Sequence, residues 1–137
     1  MFRMKLLSLF LLLLIVIAAC GGDDGGEACV TGEITYMQRI ALPEDAVVNV
    51  QIQDTSRADA AAEAVGEQTI ESPGQVPIPY EVCYDPSQIE DNHSYTMRAR
   101  ISDSQGNLLW INDTAIPVIT NGNPTENVEI PVVQVGG

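Results

Sequence analysis

The sequence predicts an all-β protein, a single antiparallel β-sandwich of about seven strands, of the immunoglobulin-like or transthyretin-like type. Three observations support this prediction. Apolar residues recur with a period of two from residue 28 onward, turn-forming residues return about every ten residues, and no later stretch has the apolar stripe of an amphipathic helix. The predicted domain covers residues 28–135, and a small barrel is the alternative architecture.

The first half of the domain contains four predicted strands. They cover residues 28–40, 48–53, 64–72 and 76–84, and they are separated by turns or loops at 42–45, 56–63 and 72–74. Val48, Val50 and Ile52 alternate with polar residues and give the clearest half-buried strand. The fourth strand carries Pro77 and Pro79 opposite its apolar residues. Because proline cannot donate to a hydrogen-bond ladder, this strand is predicted to lie at a sheet edge.

The second half continues the same period. Residues 95–102 form a long strand with one wet face, and a hairpin turn at 105–107 leads to strand-like stretches at 108–111 and 114–118. After a turn at 121–124, residues 128–135 are predicted to form the final strand. Trp110 is interpreted as a core residue, the alternative being a stacking platform for sugars. Arg98 and Arg100 share the wet face of their strand, where they are expected to pair with the surplus acids; an anionic ligand is the alternative.

Residues 1–20 have the composition of an export signal. Arg3 and Lys5 precede an apolar run over residues 6–19, which ends in small residues directly before Cys20. Small residues before a cysteine resemble the lipobox of bacterial lipoproteins, in which lipid is attached to the cysteine thiol and a peptidase cuts just before it. The sequence therefore predicts a signal peptide over residues 1–19, lipidation of Cys20, and a flexible tether over residues 20–27.

The same segment has two alternative interpretations, a transmembrane anchor and an ordinary cleaved signal peptide. As a helix, the fourteen apolar residues would span roughly 21 Å, short of the ~30 Å hydrocarbon core of a bilayer, which disfavours a transmembrane anchor. An ordinary cleaved signal peptide remains the second alternative, because the small residues Ala18 and Ala19 suit that peptidase too.

Net charge narrows the possible partners. The chain of 137 residues carries a net charge of −13 at pH 7, and cleavage before Cys20 would leave four arginines against nineteen acids, or −15. Such a surface repels nucleic acid and anionic headgroups, so nucleic acid is excluded as a partner. We expect membrane attachment to come from lipid on Cys20.

The two remaining cysteines form an even pair in an exported, oxidising setting. Cys29 and Cys83 both lie opposite the apolar residues of their strands, and we expect them to form a disulfide between the first strand and the proline-bearing strand. Two free thiols are the alternative. No metal site, cofactor or catalytic residue is predicted, because His93 is the only histidine and lies in a polar turn without a nucleophile signature.

The chain also resembles YbaY-type lipoproteins and their YscW-type relatives of type III secretion. The residues that carry the resemblance are Thr35-Tyr36, Arg39-Ile40-Ala41-Leu42-Pro43, Ala46-Val47-Val48, Val50, Gln53-Asp54, Gly74-Gln75-Val76-Pro77-Ile78-Pro79-Tyr80-Glu81, Tyr84-Asp85-Pro86 and Arg98-Ala99-Arg100-Ile101. The resemblance implies a small lipoprotein without catalytic residues. Its YscW branch implies help for a secretin ring in reaching the outer membrane. In Gram-negative bacteria, an aspartate directly after the lipidated cysteine tends to retain a lipoprotein at the inner membrane. Here that position is Gly21, which by analogy favours the outer membrane.

These observations predict a non-enzymatic, membrane-anchored envelope lipoprotein that binds or supports an envelope partner. It is expected at the outer membrane, facing the periplasm. A chaperone or pilot for a secretin or type III secretion component is one alternative, and a module for a small ligand or glycan is another. The proline-bearing edge strand and the final strand are the places where a partner strand could add to a sheet.

Overall fold

Alternating apolar and polar residues form nine β-strands within residues 27–136, the range that this computed structural model describes. In chain order the strands are β1 (Ala28–Thr35), β2 (Val47–Asp54), β3 (Glu63–Glu71), β4 (Ile78–Tyr84), β5 (Tyr95–Ser102), β6 (Leu108–Ile111), β7 (Pro117–Val118), β8 (Val128–Pro131) and β9 (Val133–Gln134). The one helical element in that range is a 3₁₀ turn at Pro86–Gln88. Among the described residues, no helix is long and apolar enough to span a bilayer.

The strands form two sheets that pack as a sandwich. The small sheet has the order β4-β1-β8, and the large sheet has the order β3-β2-β5-β6-β9, with β7 also paired to β5. The all-β prediction is therefore confirmed. One strand pair departs from the predicted antiparallel arrangement, because β1 and β8 run parallel to each other.

The core lies between the two sheets and contains the inward side chains of both. Val50 and Ile52 of β2 and Ile34 of β1 are fully buried. Trp110 is 3% exposed and stacks on Tyr36, with 3.8 Å between ring centroids, which confirms its interpretation as a core residue. These alternating side chains supply the apolar burial that holds the two layers together.

The parallel pairing of β1 and β8 depends on a close backbone approach at Gly32. Gly32 faces Val128 in the register, and a side chain at Gly32 would collide with the backbone of Val128. Tyr80 of β4 spans the same sheet and donates its hydroxyl to the carbonyl of Val128 at 2.8 Å. Burial raises the pKa of Tyr80, so this phenol stays protonated and keeps its donor role.

The first and the last predicted strands depart most from their sequence pattern, and the stretch predicted at 114–118 is reduced to β7. The first ends at Thr35, because Tyr36 turns inward onto Trp110 and its hydroxyl donates to the carbonyl of Ile40. Ile40, expected on the inward face, is 44% exposed in the following loop. The final strand is divided at Val132, where the chain leaves the small sheet and joins the large one. The last segment of the chain therefore forms an edge strand in each sheet. A continuous alternation of apolar and polar residues cannot reveal such a change of sheet.

The proline-bearing strand β4 lies at the edge of the small sheet, as predicted. The edge of β4 that is not paired with β1 faces β3 of the large sheet. The backbone N–H of Glu81 donates to the side-chain oxygen of Gln68 at 2.9 Å, and the backbone of Gly66 lies close to the carbonyl of Cys83. Part of this edge is thus occupied, so the edge formed by β8 and β9 is the more open of the two predicted partner edges.

Candidate functional site

Cys29 and Cys83 face each other on β1 and β4 and are joined by a disulfide. Both project from the outer face of the small sheet and are half-buried. The carboxylate of Glu81 comes within 4.8 Å of the sulfurs, the one such group of possible metal ligands among residues 27–136. Sulfurs held in a disulfide do not act as thiolate ligands, so this arrangement serves to fasten two strands.

The edge formed by β8 and β9 borders an exposed apolar region. A shallow groove of about 560 Å³ is lined by residues 35–38, Glu129 and residues 131–133. Met37 on its rim is 98% exposed, and Val133 and Val135 are 38% and 41% exposed. These are unusual positions for large apolar side chains in a chain with so many acids, and exposed apolar groups of this kind mark candidate contact surfaces.

On the outer face of the large sheet, each strand contributes a different type of side chain. On β3, Glu67 accepts hydrogen bonds from the amides of Asn49 at 2.7 Å and Gln51 at 3.0 Å, both on β2. These bonds lower the pKa of Glu67, that from Gln51 most. In the register of the sheet, Gln51 faces Arg98 on β5. Acid, amide and arginine therefore occupy successive strands of one face.

The two arginines of β5 do not pair with acids as expected. Within residues 27–136, no carboxylate lies within 4.0 Å of a guanidinium nitrogen, and the ion pairs present involve His93. The reason lies in the register, because β2 places the amides of Asn49 and Gln51 between Arg98 or Arg100 and the acids of β3. The expectation that surplus acids neutralise these arginines is wrong for this part of the chain.

Beyond the arginines, the same face becomes apolar. Arg100 is opposite Ile111 on β6, and Ile111 is opposite Val133 on β9. The backbone N–H of Val135 donates to the carbonyl of Leu109, which extends the β6–β9 contact by one more residue. We call the set Arg98, Arg100, Ile111, Val133 and Val135 the β5–β9 face.

His93 lies in the predicted polar turn, but it also makes long-range contacts that the sequence did not indicate. Its Nδ1 is 2.7 Å from a carboxylate oxygen of Asp54, and its Nε2 is 3.6 Å from Glu90. Its backbone carbonyl accepts the hydroxyl of Thr120 at 2.7 Å. The ring therefore meets carboxylates on both nitrogens, and the ring and backbone of His93 together connect the end of β2, the turn of His93 and the segment after β7. No nucleophile within residues 27–136 lies within hydrogen-bond distance of the ring.

The contact between His93 and Asp54 affects both pKa values. The hydrogen bond that His93 donates to Asp54 raises the pKa of His93 above its ordinary value of 6.5, against partial desolvation and the positive charge of Arg57. Partial desolvation raises the pKa of Asp54, but hydrogen bonds from Ser56 and His93 together outweigh it and lower the pKa overall. Both groups are thus stabilised in their charged forms.

This pair predicts a pH dependence of stability. Because the folded-state pKa of His93 is raised, its stabilising contribution is complete below about pH 6.5 and is lost as pH rises through the raised pKa. We expect the unfolding free energy to fall as the pH rises from 6.5 through the raised pKa of His93, and His93→Gln to remove that slope. Urea titrations at several pH values measure it. Equal slopes in the two proteins would contradict the prediction.

Several acids near turns have structural partners. Asp85 accepts from Ser87 at the start of the 3₁₀ turn, and Asp103 accepts from the backbone and side chain of Asn107 in the hairpin. Asp45 accepts from Ser104. These hydrogen bonds lower the pKa of each carboxyl group. Asp85 and Asp103 close their turns as Asx motifs do, whereas Asp45 joins its loop to the hairpin between β5 and β6.

The aromatic side chains do not form a sugar platform in the described part of the chain. All five that it contains, Tyr36, Tyr80, Tyr84, Tyr95 and Trp110, are buried. A glycan-binding surface normally offers exposed aromatic faces for stacking. The exposed large apolar side chains of the described residues are not aromatic; they belong to Met37, Ile40, Val133 and Val135.

Comparison with known proteins gives a family match over most of the chain. Residues 26–130 match the model of the family described as "Type III secretion system lipoprotein chaperone (YscW)". The chain is also 30% identical over 117 residues to the uncharacterized lipoprotein YbaY of Escherichia coli (strain K12). That match covers 79% of this chain, which spans 61% of the length of the E. coli protein. The resemblance noted from the sequence is confirmed.

A solved structure resembles the fold closely. It is an alternative pilotin from the type II secretion system of Vibrio cholerae, with 37% sequence identity and a TM-score of 0.76. The match covers 81% of this chain and 99% of the pilotin chain. The similarity therefore includes both sheets rather than a single motif.

Proposed function

Because this chain belongs to the YscW family of lipoprotein chaperones, we propose that it is a non-enzymatic envelope lipoprotein that binds a secretion-system protein and supports its placement or assembly. The partner by this proposal is a secretin or a related secretion component. The lipid on Cys20 holds the complex at the outer membrane, facing the periplasm. The proposal rests mainly on the match to the Vibrio cholerae pilotin, which extends over nearly the whole length of that chain.

Features of the described domain support a binding role. The fold is a rigid double sheet fastened by a disulfide, and its exposed apolar side chains gather near the β8–β9 edge. His93, the residue type most often used for proton transfer, contacts carboxylates rather than a nucleophile. A domain of this kind acts through its surface. By this proposal the tether predicted over residues 20–27, which apart from Glu27 lies outside the described residues, lets the domain turn toward a partner.

The test is to delete the gene for this lipoprotein in its own host and follow the secretin encoded in the same genome. We expect the secretin multimer to leave the outer-membrane fraction of a density gradient and to return when the full chain is supplied on a plasmid. An unrelated outer-membrane protein serves as the control and should stay in place. Secretin that is unchanged in amount, membrane and multimeric state would contradict the proposed function.

A further inference from the structure

The β5–β9 face combines positive charge and exposed apolar side chains in a strongly acidic protein. We propose that this face is the partner-binding surface, and that the partner presents an amphipathic protein segment with carboxylates beside its apolar side chains. This inference rests on the proposed function for the existence of a protein partner. It adds which surface is used and what chemistry the partner must offer.

The charge distribution supports this choice. Of the four arginines that would remain after cleavage before Cys20, two lie on this face, two positions apart on one strand. Side chains at that spacing point the same way and are about 7 Å apart. Arg98 is half-buried, Arg100 is exposed, and no carboxylate of residues 27–136 lies within 4.0 Å of either guanidinium group. Two guanidinium groups are thus available for carboxylates from outside.

The apolar part of the face adjoins the charged part directly. Ile111 is the cross-strand neighbour of Arg100, and Val133 is the cross-strand neighbour of Ile111. Val133 also lines the groove that Met37 borders, so the apolar region continues around the β8–β9 edge. A partner that covers both parts would bury apolar area and gain charge-assisted hydrogen bonds at once.

A second copy of this chain does not fit the face. In a two-fold symmetric dimer the same patch meets itself, and this patch contains two arginines and no carboxylate. The arginines of each copy would therefore be covered without an acidic partner, which disfavours such a contact. An anionic bilayer is also disfavoured, because the net charge of −15 on the cleaved chain repels it. A different protein with local acidity is the occupant that remains.

The test uses full-length lipidated protein in phosphatidylcholine vesicles and two short fluorescent peptides. One peptide is an amphipathic sequence of leucine and glutamate, and the other has lysine in place of each glutamate. We expect the glutamate peptide to bind in a salt-dependent manner and the lysine peptide to bind about tenfold more weakly or not at all. The double variant Arg98→Glu/Arg100→Glu should lose about tenfold in affinity for the glutamate peptide, measured by fluorescence anisotropy.

Arg57→Glu is the control for an arginine-to-glutamate change away from the face, because it alters the charge by −2, half of the change in the double variant, in the loop between β2 and β3 and should leave the affinity within about twofold. Circular dichroism and the thermal midpoint verify that the double variant is folded. Equal binding of the two peptides, an unchanged affinity in the double variant, or an equal loss in the control would each overturn the proposal. So would a dimer that the double variant abolishes, or competition by phosphatidylglycerol in the vesicles.

The same double variant separates this proposal from the proposed function. If secretin placement depends on the lipoprotein but is unaffected by Arg98→Glu/Arg100→Glu, the function stands and the assigned surface is wrong. If the glutamate peptide binds as expected while deletion of the gene leaves the secretin unchanged, the surface stands and the secretion role is wrong.

Discussion

Replacing Cys20 with serine is expected to move the protein from the membrane fraction to the soluble fraction, with its domain still folded. The predicted lipid is the source of attachment, since the cleaved chain carries a net charge of −15 and its four arginines, two of them on the β5–β9 face, do not form the cluster of basic residues that anionic headgroups attract. A single acyl chain binds a bilayer only marginally, with a constant of about 10⁴ M⁻¹, so stable residence requires more than one chain on Cys20. Cell fractionation and circular dichroism of the released protein measure the effect.

The predicted alternatives for residues 1–20 give different results in the same experiment. An ordinary cleaved signal peptide would leave the unsubstituted protein soluble, and mass spectrometry of its first peptide would show Cys20 without lipid. A transmembrane anchor would keep the Cys20→Ser variant in the membrane fraction. Gly21→Ser is the control, because it changes the neighbouring residue and leaves the thiol in place.

Removing the disulfide with Cys29→Ser/Cys83→Ser is expected to lower the unfolding free energy by about 4 kcal/mol. The two cysteines are separated by 54 residues, and the bond restricts a loop of that length in the unfolded chain. It also fastens β1 to β4 beside the point where the predicted tether enters the domain. Urea denaturation of the variant and of the unsubstituted protein measures the difference.

Two further measurements connect that loss to the bond itself. Adding a reductant to the unsubstituted protein should reproduce most of the effect, whereas the double variant should not respond to it. Thiol labelling of the unfolded, unreduced protein should find neither Cys29 nor Cys83 reactive. Two reactive thiols per chain, or a double variant as stable as the unsubstituted protein, would contradict the prediction.

Much of the fold could be predicted because strand burial follows a local rule. Along β2, Val48, Val50 and Ile52 are buried and their neighbours are not, as the period of two indicates. Pro79 on β4 similarly indicated an edge strand, since a proline cannot donate a ladder hydrogen bond whatever surrounds it. The position of Cys29 and Cys83 on the outer faces of their strands followed from the same alternation, whereas their cross-strand pairing depends on the register of β1 and β4.

The candidate site was less predictable because it depends on which strands become neighbours. Arg98 was expected to meet acids, but its cross-strand neighbour is Gln51. His93 meets Asp54, which lies 39 residues earlier in the chain. The apolar part of the β5–β9 face exists because the chain leaves the small sheet before Val133, which then pairs with Ile111. None of these pairs has a signal within a short window of sequence.

By itself, the sequence indicated most of the strand positions and the inward side chains of the regular strands, and it predicted the anchor at Cys20. Those features depend on backbone geometry and on the order of neighbouring residues. Only the tertiary structure decided the parallel pairing of β1 with β8, the transfer of the chain between sheets at Val132, and the free arginines of β5. The physical reason is that strand order and register are set by the packing of both layers at once, and the surface is whatever that packing leaves exposed.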